Sequence, residues 1–207
     1  EALSSNHSQY YLEALTAHES ALIGPNQVIA TQTVGLDFEN VRAAFLWGIA
    51  AQDYPRLAAA LHPLWLYAYY SGRHTDVVNV FDLVAESLRR ALPSPVRDTL
   101  LADVLCHQAY SFLYMIDRPR ADRCLAEAAP LVEAAADRRV RAFYHLARAY
   151  LVPWEGRSDL LHESRQALDG YRSLGDRWGE MMSLIAIAST QFANEHPDPE
   201  VTASLQQ

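Results

Sequence analysis

Amphipathic helical stretches recur along this chain, separated by short punctuation: Gly72-Arg73, Ile116-Asp117-Arg118, Trp154-Glu155-Gly156 and Leu174-Gly175-Asp176. This recurrence constrains the fold more than any other feature, because one helical hairpin cannot bury its apolar face alone and must stack on its neighbours. The expected product is a solenoid of antiparallel helix pairs whose extended concave face ordinarily holds a partner.

Periodicity and capping signals divide the chain into about nine or ten helices. The first is expected over 4–22, ended by Gly24-Pro25. In the second, Val34, Phe38, Val41, Phe45 and Ile49 advance at helical spacing, with Gly35 as a soft spot near its start. Asp53 is the expected cap of a third helix with Pro55 in its first turn, and Pro63 within it predicts a kink. Thr75 is the expected cap of a fourth helix through Leu92, after which Ser94 caps and Pro95 opens a fifth. That fifth helix carries Leu101, Leu105, Ala109, Phe112 and Ile116; the sixth, opened by Pro119, carries Ala121, Leu125, Ala128, Val132 and Ala136. Pro130 predicts a kink there or a break at Ala129. Later helices are expected at about 138–152, ending at Pro153, at 158–173, and from Asp176 to about Asn194, with Pro197 and Pro199 bracketing the start of a tenth. No segment alternates with period two between turn signals, so the class is all-α.

Composition narrows the function. With 50% hydrophobic residues in 207, the chain can bury a substantial core. All seventeen basic residues are arginine, which excludes Schiff-base lysines and a phosphate loop that needs its lysine. A net charge of −8 argues against a general nucleic-acid binder. Residues 118–157 nevertheless hold eight arginines against five acids, a solvated face or a docking patch for an acidic partner. Cys106 and Cys124 fall in apolar helical patterns and suggest no disulfide framework. No signal peptide and no apolar run long enough to span a bilayer are present, so a cytoplasmic location is expected. The chain opens at Glu1 and stops at Gln207 inside a helical pattern, so a piece of a longer protein is expected.

Self-similarity supports the repeat. Placing Asp137 on Asp176 superposes Ala128 on Ala167, Ala129 on Leu168, Val132 on Tyr171, Ala136 on Gly175, Phe143 on Met182, Leu146 on Ile185 and Ala147 on Ala186. Ala167-Leu168 followed by Tyr171-Arg172-Ser173-Leu174-Gly175-Asp176-Arg177-Trp178-Gly179 resembles the repeat boundary of the tetratricopeptide (TPR) superfamily. Leu36-Asp37-Phe38-Glu39-Asn40-Val41-Arg42-Ala43-Ala44-Phe45-Leu46-Trp47, with Leu64-Trp65 and Gly72-Arg73, is similar to the segment that follows the nucleotide-binding and winged-helix domains of bacterial STAND-type ATPase regulators, the LuxR-type and antibiotic-regulatory transcription factors among them. Asp76 and Phe45 depart from that pattern. The resemblance implies one TPR-like domain over 1–207, an N-terminal helix pair in 1–52 and repeat hairpins in 53–207, coiled as a right-handed α-α superhelix. It implies an effector- or protein-binding sensor region, with ATPase and DNA-binding modules outside this segment.

Chemistry is sparse. Eight histidines form no HExxH, no CxxC occurs, and Cys106 and His107 lie on different helical faces, so neither a metal nor a cofactor is expected. Asp82 with Glu86 and Asp159 with Glu163 are i,i+4 carboxylate pairs expected to face solvent. Glu39, Asn40 and Arg42 read as fixing a helix-pair junction. The candidate partner face comprises Trp65, Tyr69, His107, Tyr110, Tyr114, Tyr144 and Arg148, types enriched at binding hot spots; the same side chains serve equally to fill gaps between hairpins. The leading expectation is a non-enzymatic module of a signal-transduction or transcription regulator, binding a protein, a peptide or another domain of its own chain. A small-molecule effector and homo-oligomerisation stay open, as does an all-α enzyme with an aromatic pocket and histidines such as His62 and His74.

Overall fold

The computed structural model describes residues 2–151 and 157–192, and every regular element among them is a helix. Trp154-Glu155-Gly156, the stop at Pro153, and the stretch from Asn194 through Pro197 and Pro199 lie outside the described residues. The first expected helix is α1 (Ala2–Ala17) and a single turn, α2 (Glu19–Leu22). They part at His18, whose N–H turns toward Leu15 O at 3.0 Å as well as Ala14 O at 3.2 Å. The second is likewise α3 (Gln27–Leu36) and α4 (Phe38–Ala50), parted at Asp37. Its stripe survives the break: Val34, Phe38, Val41 and Phe45 are buried and Ile49 is half-buried.

α5 (Tyr54–Ser71) is the hub. The Asp53 carboxylate accepts from the Arg56 N–H at 3.4 Å with Pro55 in the first turn. From Leu61 to Ala68 every residue is buried, and the helix continues through Pro63. A helix apolar on all sides belongs in the interior. α1, α2, α3 and α4 pack around it, with α6 (His74–Arg90) and α7 (Pro95–Tyr114) completing the jacket. Thr75 does not cap α6. The helix starts at His74, two residues earlier than a Thr75 cap would give, after Gly72 turns the chain at φ +73°, and the Arg73 side chain is spent elsewhere, on Asp76 at 2.6 Å and the Tyr67 hydroxyl at 3.0 Å.

Ser94 caps α7, accepting from the Arg97 N–H at 3.2 Å. Asp117 caps α8 (Arg118–Ala134) through the Arg120 N–H at 3.2 Å, and α8 runs on past Pro130, so no break falls at Ala129. Ile116 leaves its expected stripe: it is 93% exposed and holds the left-handed turn between α7 and α8 at φ +56°. α9 (Arg138–Leu151), α10 (Arg157–Leu174) and α11 (Arg177–Phe192) complete the described chain. The self-similar pair behaves alike here, Asp137 accepting from the N–H groups of Arg139 and Val140 and Asp176 from that of Gly179 at 3.0 Å. Val132 and Tyr171 are both buried, as are Phe143 and Met182, whereas Leu146 is buried and Ile185 exposed.

From α5 onward each helix packs on the next, and α5, α7, α9 and α11 also touch one another in that order. Close approach at the C-terminal end depends on missing side chains. A Cβ on Gly179 would stand 2.1 Å from the Tyr171 ring, and one on Gly170 would stand 2.8 Å from Ala142 Cβ. The row of alternate helices then curls until its ends meet. Trp178 on α11 donates its Nε1–H to the Tyr70 hydroxyl of α5 at 3.1 Å, and Arg139 on α9 pairs with Glu19 on α2. No helix among the described residues is long and apolar enough to cross a membrane.

Candidate functional site

The curl fills the inside of the row with rings. Trp65 meets Tyr110 edge-on at 5.1 Å, Phe143 at 5.2 Å and Trp178 at 5.5 Å. Five of the seven candidate partner residues are gathered here, since Tyr69 touches Trp65 and Tyr114, and His107 touches Trp65. They do not form the continuous open groove that the helical spacing suggests. Trp65 and Tyr110 have 0% exposure and His107 has 2%, because α11 closes over α5. Tyr69 is half-buried and Tyr114 is 45% exposed, at the C-terminal ends of α5 and α7. Tyr144 and Arg148 stand apart on the α9–α10 side, where Arg148 covers the Tyr144 ring and pairs with Glu163 at 3.0 Å.

At the opposite end, where α5, α7 and α9 begin, a cleft of about 1060 Å³ remains open. Tyr54, Pro55 and Ala58 form its α5 wall, Val96 and Leu100 its α7 wall, and Leu131 and Val140 the wall from α8 and α9. His62, His107, Phe143 and Tyr171 form its floor. His62, Phe143 and Tyr171 sit about one or two turns inside their helices and His107 about three, so the cleft ends on the aromatic plug.

A polar chain crosses the floor. His107 Nδ1 lies 2.8 Å from the Asp103 carbonyl and 3.1 Å from the Asp103 carboxylate, groups that only accept, so Nδ1 carries the proton. His107 Nε2 lies 3.1 Å from His62 Nδ1, and the two nitrogens share one proton. His62 Nε2 has no protein partner among the described residues. Phe143 stacks on His107 at 4.0 Å, and Trp65 and Trp178 hold the His62 ring. Burial first, then His107 and Arg139, push the His62 imidazole well below its ordinary range, which keeps it neutral.

Tyr171 adds an unusual group. It is 2% exposed, its hydroxyl has no hydrogen-bond partner, and burial raises its pKa well above the ordinary phenol. Asp103 and Arg139 are close enough to act on it electrostatically. Among charged side chains on the lining, Asp98, Asp103 and Asp137 face the single guanidinium of Arg139.

Other clusters are structural. Glu163, expected to face solvent, is buried and held by His145 at 2.6 Å and by Arg148, which tie α9 to α10. His74 stacks on Tyr114 at 4.8 Å. Cys106 is fully buried, and burial pushes the Cys124 thiol up to about 11. No group of three or more metal-ligating side chains occurs among the described residues. Sequence reading overlooked Asp103 and Tyr171 as site residues and left His62 to a secondary hypothesis; the i,i+4 spacing of Asp103 and His107 was the available signal. Comparison of the chain with known proteins matched no family model, no curated protein and no solved structure.

Proposed function

We propose that this chain is a TPR-like right-handed α-α superhelix serving as a non-enzymatic, cytoplasmic binding module of a bacterial signalling or transcription regulator, and that its cleft receives a small-molecule effector. The cleft carries this reading. Its volume of about 1060 Å³ is at the upper end of what small-molecule sites offer, and it joins a polar floor to apolar walls. A peptide lying along the inner row would have to displace Trp65 and Tyr110, which are core. An occupant would touch α5, α7, α9 and α10 together, so one that prefers a particular spacing of these helices shifts the population toward it. Protein partners, including other domains of the same chain, then meet the outer surface and sense that shift.

Ala58→Trp tests the reading, because Ala58 is an exposed wall residue and a large ring there fills the cleft without entering the core. Small molecules from a chemically diverse collection that perturb the Trp178 indole signal in NMR spectra are expected to lose binding in Ala58→Trp at unchanged melting temperature. Undiminished binding in that variant would remove the cleft from the proposal. A second reading rests on the chain Asp103, His107, His62, which suits an enzyme that passes a proton from its substrate to His62 Nε2. It requires turnover of a bound molecule that His62→Gln abolishes.

A further inference from the structure

Building on the cleft as an effector site, we infer that its ligand is a small organic cation, an ammonium or amidinium head on an apolar body. The floor offers acceptors. Asp103 spends one carboxylate oxygen on His107 and leaves the other without a partner among the described residues, and His62 Nε2 is unpartnered there too. Asp137 uses a single oxygen for both N–H groups at the start of α9. Carboxylate oxygens only accept, so a ligand that brings N–H donors suits Asp103 and Asp137.

Charge points the same way. Asp98 is answered by Arg97 at 3.1 Å, and Arg139 is engaged by Glu19 and faces Asp176 at 3.9 Å. Asp103 and Asp137 make no salt bridge to an arginine among the described residues, and Arg139 offsets the charge of Asp103 only at longer range. The starts of α5, α7 and α9 do not favour an anion either, because Asp53, Ser94 and Asp137 already take N–H groups of those first turns. The Tyr171 hydroxyl, buried without a partner and within electrostatic reach of Asp176, Arg139 and Asp103, is a group that folding leaves unsatisfied and whose oxygen a donor head can engage. The rings of Phe143 and Tyr54 and the side chains of Leu100 and Val140 supply the apolar wall, and an aromatic face adds attraction for a cation.

Three probes sharing a naphthyl body separate the possibilities: naphthylmethylamine, naphthylmethanol and naphthoate, titrated by NMR against the wild-type chain and against Asp103→Asn, Tyr171→Phe and Ala58→Trp. The amine is expected to bind about tenfold more tightly than the alcohol, the scale of one charge-assisted hydrogen bond, and naphthoate most weakly. Asp103→Asn keeps an acceptor for His107 and is expected to erase the preference. Tyr171→Phe is expected to weaken amine binding several-fold while raising the melting temperature, a combination that a merely structural tyrosine would not produce. Naphthoate binding as tightly as the amine, a preference that survives Asp103→Asn, or no binding of the amine at all would overturn the inference. If the probes bind without preference and Ala58→Trp abolishes that binding, the cation falls and the effector cleft stands; if Ala58→Trp changes nothing, both fall.

Discussion

Ile116 keeps a β-branched side chain at φ +56° with 93% of its surface in water. That conformation costs an L-residue about 1–2 kcal/mol, so Ile116→Gly is expected to raise stability by about 1 kcal/mol, seen as a higher urea midpoint at unchanged slope. Gly179→Ala acts oppositely, because the Tyr171 ring stands where the methyl must go; a loss of about 1–3 kcal/mol is expected in the same assay. His62 and His74 give stability a pH dependence. Burial is the first cause that lowers both pKa values, so below about pH 6.5 the unfolded chain takes up protons that the folded chain refuses. Their contribution is whole above that pH and is lost as pH falls below it. The urea midpoint is expected to drop between about pH 8 and about pH 5.5, and to drop less in His62→Gln; an equal drop in the variant would show that His62 is not a cause. The left-handed turns at Gly72 and Gly175 were legible from the residue type, whereas Ile116 read both as punctuation and as one more apolar turn of helix, and only the first reading holds.

Helix starts were legible wherever a side chain supplies the missing acceptor. Asp53, Ser94, Asp117, Asp137 and Asp176 each take a backbone N–H at the beginning of α5, α7, α8, α9 or α11. The divisions at His18 and Asp37 were not, since neither residue makes a side-chain cap bond and the apolar stripe of α3 runs straight on into α4. Ser94→Ala and Asp117→Ala are each expected to cost about 1 kcal/mol. They lie at opposite ends of a 20-residue helix, about 30 Å apart, so their effects should add in the double variant; marked non-additivity in urea titrations would mean that α7 transmits strain along its length. Pro63 lies inside α5, which runs on to Ser71, as expected from the sequence. Its ring is buried in a helix that six neighbours surround, and packing holds the element together across the lost hydrogen bond.

Contacts between distant segments set the final form and left the least trace in the sequence. The aromatic richness of α5 announced a second layer, but nothing local to Trp178 says that it lies on Trp65, His62 and Tyr70. Five of the seven residues expected along a groove assemble, and closure turns Trp65, His107 and Tyr110 among them into core. Trp178→Ala is expected to cost about 3–5 kcal/mol and to speed amide exchange in α11 and in the facing part of α5, with little change in α8. Uniform acceleration across all helices would mean that the ring of contacts has no independent stability. The same closure bears on how the protein is made. A chain leaving the ribosome folds from its N-terminal end, so the hub and the early hairpins form while the residue that covers them is still unsynthesised. Until Trp178 emerges, the apolar flank of Trp65 and His62 faces water, and a nascent or prematurely ended chain presents chaperones and proteases with a sticky surface that the finished protein hides.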